Sequence, residues 1–146
     1  MTLQTGRINF LEFKVAKEPW NEYKLEDGTV LRVKVVLAAV IKEADEKFTF
    51  SHSPVFSVRP NEKYMGIPSL PLKSDEKPEN FIEADDLKFT QLTDHWNEYE
   101  LPSEKILLSI KGILVSAART SKHDERGIPI YTTNVQLIVK HKKEKS

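Results

Sequence analysis

Apolar and polar side chains alternate along residues 29–42, the most regular stretch of the chain. The odd positions from Leu31 to Ile41 are all apolar, whereas the even positions are charged at Arg32 and Lys34 and apolar at Ala38 and Val40. This period of two predicts a long β-strand with one face buried along its whole length. The other face begins polar and ends apolar, so we expect the strand to enter a second packing layer.

Shorter stretches on both sides predict more β-structure, although residues 36–43 alone would also fit a buried helical turn. β-branched side chains crowd that stretch and favour a strand. Asp27 and Gly28 predict a tight hairpin, because glycine readily adopts the positive φ of such turns. Further strands are predicted over residues 8–15, 21–25, 48–52, 55–58, 106–117 and 128–140. The chain is therefore predicted to be mainly β, with roughly five short strands in each half.

One segment occurs twice. Residues 20–25 read Trp-Asn-Glu-Tyr-Lys-Leu, and residues 96–101, 76 positions later, read Trp-Asn-Glu-Tyr-Glu-Leu. The preceding Leu-x-Phe of residues 11–13 recurs at the same offset in residues 87–89. The second copy has one extra residue in its hairpin, after which the long strands align again. We interpret this pattern as an internal duplication.

The duplication divides the chain into three parts: a first β-repeat over residues 1–60, a Pro-rich connector over 61–83, and a second β-repeat over 84–146. The predicted fold is all-β, an internally duplicated pair of small antiparallel SH3-like or OB-like barrels with pseudo-two-fold symmetry. A half of about 70 residues would be marginally stable alone. We therefore expect the halves to pack as one compact unit that gives Trp20 and Trp96 similar surroundings.

The spacing Trp-Asn-Glu-Tyr-x-Leu-x-Asp-Gly-Thr, followed by an apolar strand, resembles a family of small β-domain proteins of archaea and thermophiles. The resemblance covers residues 10–60 and, less closely, 86–140, where the second copy lacks Asp-Gly-Thr. No function is attached to that family, so the resemblance implies a fold and no activity. The 17 lysines, 15 glutamates and absent cysteines are also typical of proteins from hot environments.

Composition excludes several classes of protein. The 22 basic and 22 acidic residues cancel, so no long-range field favours nucleic acid or an anionic membrane. The absence of cysteine excludes thiol catalysis, disulfides and thiolate zinc sites. No run of 18 apolar residues and no apolar signal segment is present, so we expect a cytoplasmic protein without membrane contact.

The duplicated polar residues are the first candidate site. Two copies related by pseudo-symmetry would place two carboxylates and two amides around one axis at the junction of the repeats, as a binding or enzymatic site for a cation or polar ligand. The alternative is that the aromatic rings anchor the core while Asn holds a turn and Glu faces water. The predicted ligand-binding residues are Asn21, Glu22, Tyr23, Asn97, Glu98 and Tyr99.

Catalytic and metal chemistry has little support in the sequence. The four histidines show no metal-binding spacing, and neither a Gly-x-Ser-x-Gly elbow nor a glycine-rich phosphate loop is present. We therefore predict no catalytic residue, no metal and no cofactor, and lean towards a protein that is not an enzyme.

Single-stranded nucleic acid is a further alternative. Three aromatic residues with basic neighbours would suit base stacking. The aromatic residues are Phe48, Phe50 and Phe56, and the basic neighbours are Lys47, Arg59 and Lys63. Aromatic residues at alternate positions are more often core residues, and zero net charge gives little counterion release. Nucleic acid is thus possible but not favoured.

The connector suggests a protein partner instead. Four prolines, Gly66 and the charged residues 73–77 prevent a continuous helix or strand over residues 60–83, yet residues 64–72 are too apolar for a solvated tether. We predict a non-catalytic β-barrel module that binds a protein partner or itself through a strand edge or this connector. The predicted partner-binding residues are Tyr64, Met65, Ile67, Leu70 and Leu72.

Overall fold

The computed structural model describes residues 8–143, so the outermost ends of the two predicted repeats lie outside the described residues. This part of the chain is mainly β-strand, has no α-helix, and folds into two antiparallel five-stranded sheets. Short 3-10 turns occur at Glu62–Tyr64, Pro78–Phe81 and Pro102–Glu104. Among residues 8–143, no helix has the length and apolar character needed to cross a membrane.

The first sheet is built around β4 (Val30–Lys42). One edge of β4 pairs with β5 (Phe48–Arg59); its other edge pairs with β3 (Asn21–Leu25) and, further along, with β1 (Asn9–Leu11). β3 in turn pairs with β7 (Phe89–Gln91). The predicted hairpin between β3 and β4 is present, with Gly28 at a φ of 90°.

The second sheet has the corresponding arrangement around β9 (Ile106–His123). One edge of β9 pairs with β10 (Pro129–Lys143); its other edge pairs with β8 (Asn97–Leu101) and, further along, with β6 (Ile82–Ala84). β8 pairs with β2 (Lys14–Lys17).

Each sheet therefore contains one strand from the other half of the chain. β2 lies in the second sheet and β7 in the first. The strand predicted over residues 8–15 is divided accordingly into β1 and β2, which belong to different sheets. Between them, the Phe13 ring packs edge-on against the Tyr99 ring at 6.0 Å.

A β-bulge interrupts each long strand at corresponding positions. Pairing shifts by one residue between Leu37 and Ala39 in β4, and at Val115 in β9. An extra residue exchanges the two faces of a strand. Val40, at an even position, is consequently fully buried, so the expectation that odd positions stay buried along the whole strand is wrong beyond Leu37.

The apolar interior forms two clusters, and each draws on both long strands. The first joins the second half of β4 to β8 and the start of β9; the second joins β3 and the start of β4 to the second half of β9. The buried members of the first are Val35, Leu37, Val40, Tyr99, Leu101, Ile106, Leu108 and Ile110. Those of the second are Tyr23, Leu25, Leu31, Val33, Leu87, Leu114 and Ala117.

Candidate functional site

The two duplicated asparagines are buried and bind the main chain of the opposite half. Asn21 Nδ2 donates to the His95 carbonyl at 2.9 Å, and its Oδ1 accepts from the His95 amide at 2.7 Å. Asn97 Nδ2 donates to the Val35 carbonyl at 2.7 Å. A buried side-chain amide needs hydrogen-bond partners, and these backbone bonds supply them, so both residues have a structural role.

The two duplicated tyrosines are fully buried, and their hydroxyls lie at the bulges. The Leu114 amide donates to Tyr23 OH at 3.3 Å. In the corresponding place in β4, the Leu37 amide donates to Glu18 Oε2 at 3.4 Å, and Tyr99 OH donates to the same oxygen at 2.7 Å. Burial, followed by the hydrogen bond to Glu18, raises the pKa of Tyr99 well above its ordinary value.

The duplicated glutamates occupy half-exposed positions on different sheets. Glu22 Oε2 lies 3.2 Å from Arg32 Nε, and Glu98 Oε2 lies 2.9 Å from Lys17 Nζ. Each carboxylate is therefore engaged with a cation beside its own strand. A site shared by Glu22 and Glu98 remains a prediction.

The two tryptophans have similar surroundings. Both are half-buried, and each ring has two basic side chains above it. The Arg32 guanidinium lies 4.6 Å from the centre of the Trp20 ring, and Lys111 Nζ lies 4.7 Å from that of Trp96. Cation–π contacts of this kind stabilise a partly exposed ring.

The aromatic residues that the sequence suggested for base stacking lie apart. Phe48 and Phe50 pack against the first core cluster, whereas Phe56 is 38% exposed, so the three rings do not form one open stacking surface. Within the described range, no group of three or more His, Asp or Glu side chains is arranged to hold a metal ion.

A buried ion pair joins the two halves, and sequence reasoning did not identify it. Arg119 Nη1 lies 2.8 Å from Asp27 Oδ2, and both side chains are less than a tenth exposed. Tyr131 OH donates to the same oxygen at 2.7 Å, and the Thr29 amide donates to Oδ1 at 2.9 Å. Burial alone would raise the pKa of Asp27, but the hydrogen bonds from Tyr131, Thr29 and Arg119 together lower it below 3.8.

The corresponding positions of the other half also form an ion pair. Lys42 stands in β4 where Arg119 stands in β9, and Glu104 stands in the second hairpin where Asp27 stands in the first. Lys42 Nζ lies 2.9 Å from Glu104 Oε1. Each hairpin thus supplies a carboxylate to the far end of the other half's long strand.

The connector is docked against the second half by backbone contacts. The Gly66 amide donates to the Gly127 carbonyl at 3.0 Å, and the Ser69 amide donates to the His123 carbonyl at 3.1 Å. The Tyr64 ring lies 3.7 Å from the Arg119 guanidinium carbon, over the buried ion pair. These contacts hold residues 64–69 in a defined conformation.

The five predicted partner-binding residues divide into two groups. Ile67 and Leu70 are each 87% exposed, and Met65 is 42% exposed. Tyr64 and Leu72 are half-buried. A shallow cleft of about 480 Å³ runs beside Leu70 and Leu72 and is closed on its other side by residues 122–125 and Ile130. The connector therefore presents apolar side chains outward from a fixed backbone.

A scan against protein-family models and searches of curated proteins and of solved structures found no significant match to the chain.

Proposed function

We propose that this chain is a non-catalytic β-protein that binds a protein partner through its connector. The observation that carries the proposal is the exposure of Ile67 and Leu70 on a segment whose backbone is hydrogen-bonded to residues 123–127. Apolar side chains on a fixed backbone lose little conformational freedom on binding, which favours association. Most of their surface would be removed from water by a partner, and that burial supplies the driving force.

The architecture supports this proposal. We infer that the two halves are descendants of one duplicated β-unit, and that each core cluster is the interior of a small barrel-like body related to the other by a pseudo-two-fold axis. The bodies share β4 and β9 and are joined by reciprocal strands and ion pairs. The asparagine, glutamate and tyrosine side chains of the repeated segment are already engaged in hydrogen bonds and ion pairs within the fold. The connector has no counterpart in the repeat, so its apolar side chains need a separate explanation.

The experiment is affinity capture from an extract of the source cells, using the full chain and its Ile67→Ser/Leu70→Ser variant. Both side chains are almost fully exposed, so the substitutions should change the free energy of unfolding by less than about 0.5 kcal/mol. Deletion of the connector would be a less specific test, because it would also remove the contact of the Tyr64 ring with the Arg119 guanidinium.

The matched control is Phe10→Ser/Val15→Ser, which removes two exposed apolar side chains at 62% and 55% exposure from strands β1 and β2. We expect the connector variant to lose the partner and the control to retain it, with equal melting temperatures. Capture of the same partner by the connector variant would refute the proposal. Loss in both variants would indicate non-specific apolar adhesion and would also refute it.

A further inference from the structure

We propose that the groove between β5 and β10 accepts an extended, acidic segment of a protein partner as an added strand. This inference rests on the proposed function and names the chemistry that the partner would bring. The groove, of about 460 Å³, lies between the second half of β5 and the start of β10. Its lining includes Leu31, Phe56, Val58, Ile128, Tyr131 and Thr133. It adjoins the connector cleft, since Asp124 and Ile130 line both.

Both walls of the groove are free strand edges. Within residues 8–143, β5 pairs with β4 alone and β10 with β9 alone. Pro54 lies opposite Val35 and has no N–H that could bond β4. The backbone groups of Pro54 therefore point away from β4, towards the free edge of β5. In an antiparallel pair this direction recurs at every second residue. Phe56 and Val58 therefore direct their N–H and C=O groups to the free edge, where an added strand would bond them.

Apolar side chains on the core side are uncovered here. Phe56 lies opposite Val33, which is only 3% exposed, yet Phe56 itself is 38% exposed. Val58, which also lines the groove, lies opposite Leu31, which is only 1% exposed, yet Val58 itself is only half-buried. Cross-strand partners share one face of a sheet, so both residues face the interior across an opening. An added strand with apolar side chains at alternate positions would cover them.

The opening is confined to one end. At the other end, the Phe48 ring of β5 packs edge-on against the His141 ring of β10 at 6.0 Å. Aromatic contact there brings the two edges together, whereas the groove separates them at residues 56–58 and 129–133. An occupant would thus enter beside residues 124–130.

Charge selects an acidic occupant. Neither β5 nor β10 contains a carboxylate, although the chain has 22. β5 ends at Arg59, and Arg126, whose side chain is 74% exposed, lines the groove, whereas the lysines of β10 lie at its far end, residues 140–143. The one carboxylate in the groove lining, Asp124, accepts hydrogen bonds from the Arg126 and Ile128 amides.

The same charges disfavour a second copy of this chain as the occupant. Neither β5 nor β10 has a carboxylate, so pairing of these edges between two copies would bring no acidic partner to Arg59 or Arg126. Pro54 also interrupts the row of donors on the β5 edge, a feature that discourages edge-to-edge association. The occupant that fits is a foreign segment with carboxylates and alternating apolar side chains.

The test is selection of random 12-residue peptides displayed on phage against the full chain, followed by affinity measurement and amide NMR with the selected peptides. Phe56→Pro removes the edge-facing N–H, whereas Phe56→Ala keeps it and removes a similar amount of side chain. We expect selected peptides to be acidic with alternating apolar residues and to shift the amide signals of residues 56–58 and 130–133. Phe56→Pro should bind them about tenfold more weakly than Phe56→Ala, with matching thermal melts.

Three results would overturn the inference: no enriched peptide, signal changes confined to other surfaces, or equal binding by the Pro and Ala variants. If Phe56→Pro melts early, N-methylation of the peptide backbone replaces it, and undiminished binding of the methylated peptide is then the contrary result. The Ile67→Ser/Leu70→Ser variant is assayed in parallel. If the peptides bind the groove of this variant as tightly as that of the native chain, the present inference stands even where the connector captures no partner.

Discussion

A β-carbon added to Gly112 would lie 2.6 Å from Cγ2 of Val35. Gly112 in β9 corresponds to Val35 in β4. Each lies two residues before the last buried residue ahead of the bulge in its strand, which is Leu114 in β9 and Leu37 in β4. β9 and β4 therefore approach each other closely at these two residues. A pair of valines would not fit, which explains why one of the two positions is glycine.

Gly112→Ala should destabilise the protein by about 1–3 kcal/mol, because the new methyl overlaps Val35 and also approaches Val135 Cγ1 at 3.1 Å. Urea unfolding measures the change. The control is Gly112→Ala combined with Val35→Ala, in which space is restored. We expect the double variant to lose less than the sum of the single losses; strict additivity would show that the contact does not limit packing.

Asp27→Asn should cost about 3 kcal/mol or more, since it leaves the buried Arg119 without its principal carboxylate. Glu104→Gln is the matched variant at the corresponding pair, where the side chains are 22% and 19% exposed, and its loss should be smaller. Chemical denaturation of both variants gives the comparison. A larger loss for Glu104→Gln would contradict the ranking by burial.

The lowered pKa of Asp27 predicts a specific loss of stability in acid. The folded-state pKa lies below the ordinary value of 3.8, so the unfolded chain binds the proton first as pH falls. The contribution of Asp27 is complete well above pH 3.8 and is lost as pH falls through the folded-state pKa. Denaturation series from pH 6 to about pH 2 should show a shallower acid decline in Asp27→Asn than in the native chain. Parallel declines would contradict this assignment.

The strands could be predicted from the sequence because apolar and polar residues alternate along a strand that has one buried face. Sequence reasoning found β3, β4 and their hairpin, and the repeat located β8 and β9. It did not find the exchange of β2 and β7, since strands of four and three residues contain too little alternation to indicate a partner. The Asp27–Arg119 pair was also missed, because its members are 92 residues apart and only tertiary structure brings them together.

Pro54 and the bulges show a second limit of local patterns. Proline suggested an interruption between residues 52 and 55, yet β5 is continuous because Pro54 lies on a free edge. The apolar residues on both faces of β4 indicated a second layer, but the sequence did not show the bulge at Ala38, which turns Val40 into the same core cluster as Val35 and Leu37.

Glu22→Gln and Glu98→Gln should each change the free energy of unfolding by less than about 1 kcal/mol, because both ion pairs are partly exposed. The effects should add, since the two glutamates lie in different sheets. Thermal and urea unfolding of the single and double variants provides the measurement. Strong coupling between them would instead support the shared site at the junction of the repeats.

The reciprocal strands predict that neither half folds alone. Without residues 75–146, β3 would lack β7, the second core cluster would lose Leu114 and Ala117, and Asp27 would lose Arg119. A chain cleaved in the exposed segment 73–75 should nevertheless stay associated, because two strand pairings, both clusters and both ion pairs cross the cut. Size-exclusion chromatography and circular dichroism of the cleaved chain, of each purified fragment and of their mixture test this. We expect unfolded fragments that recover β-structure on mixing, whereas a cooperative melt from either fragment alone would show that the halves fold independently.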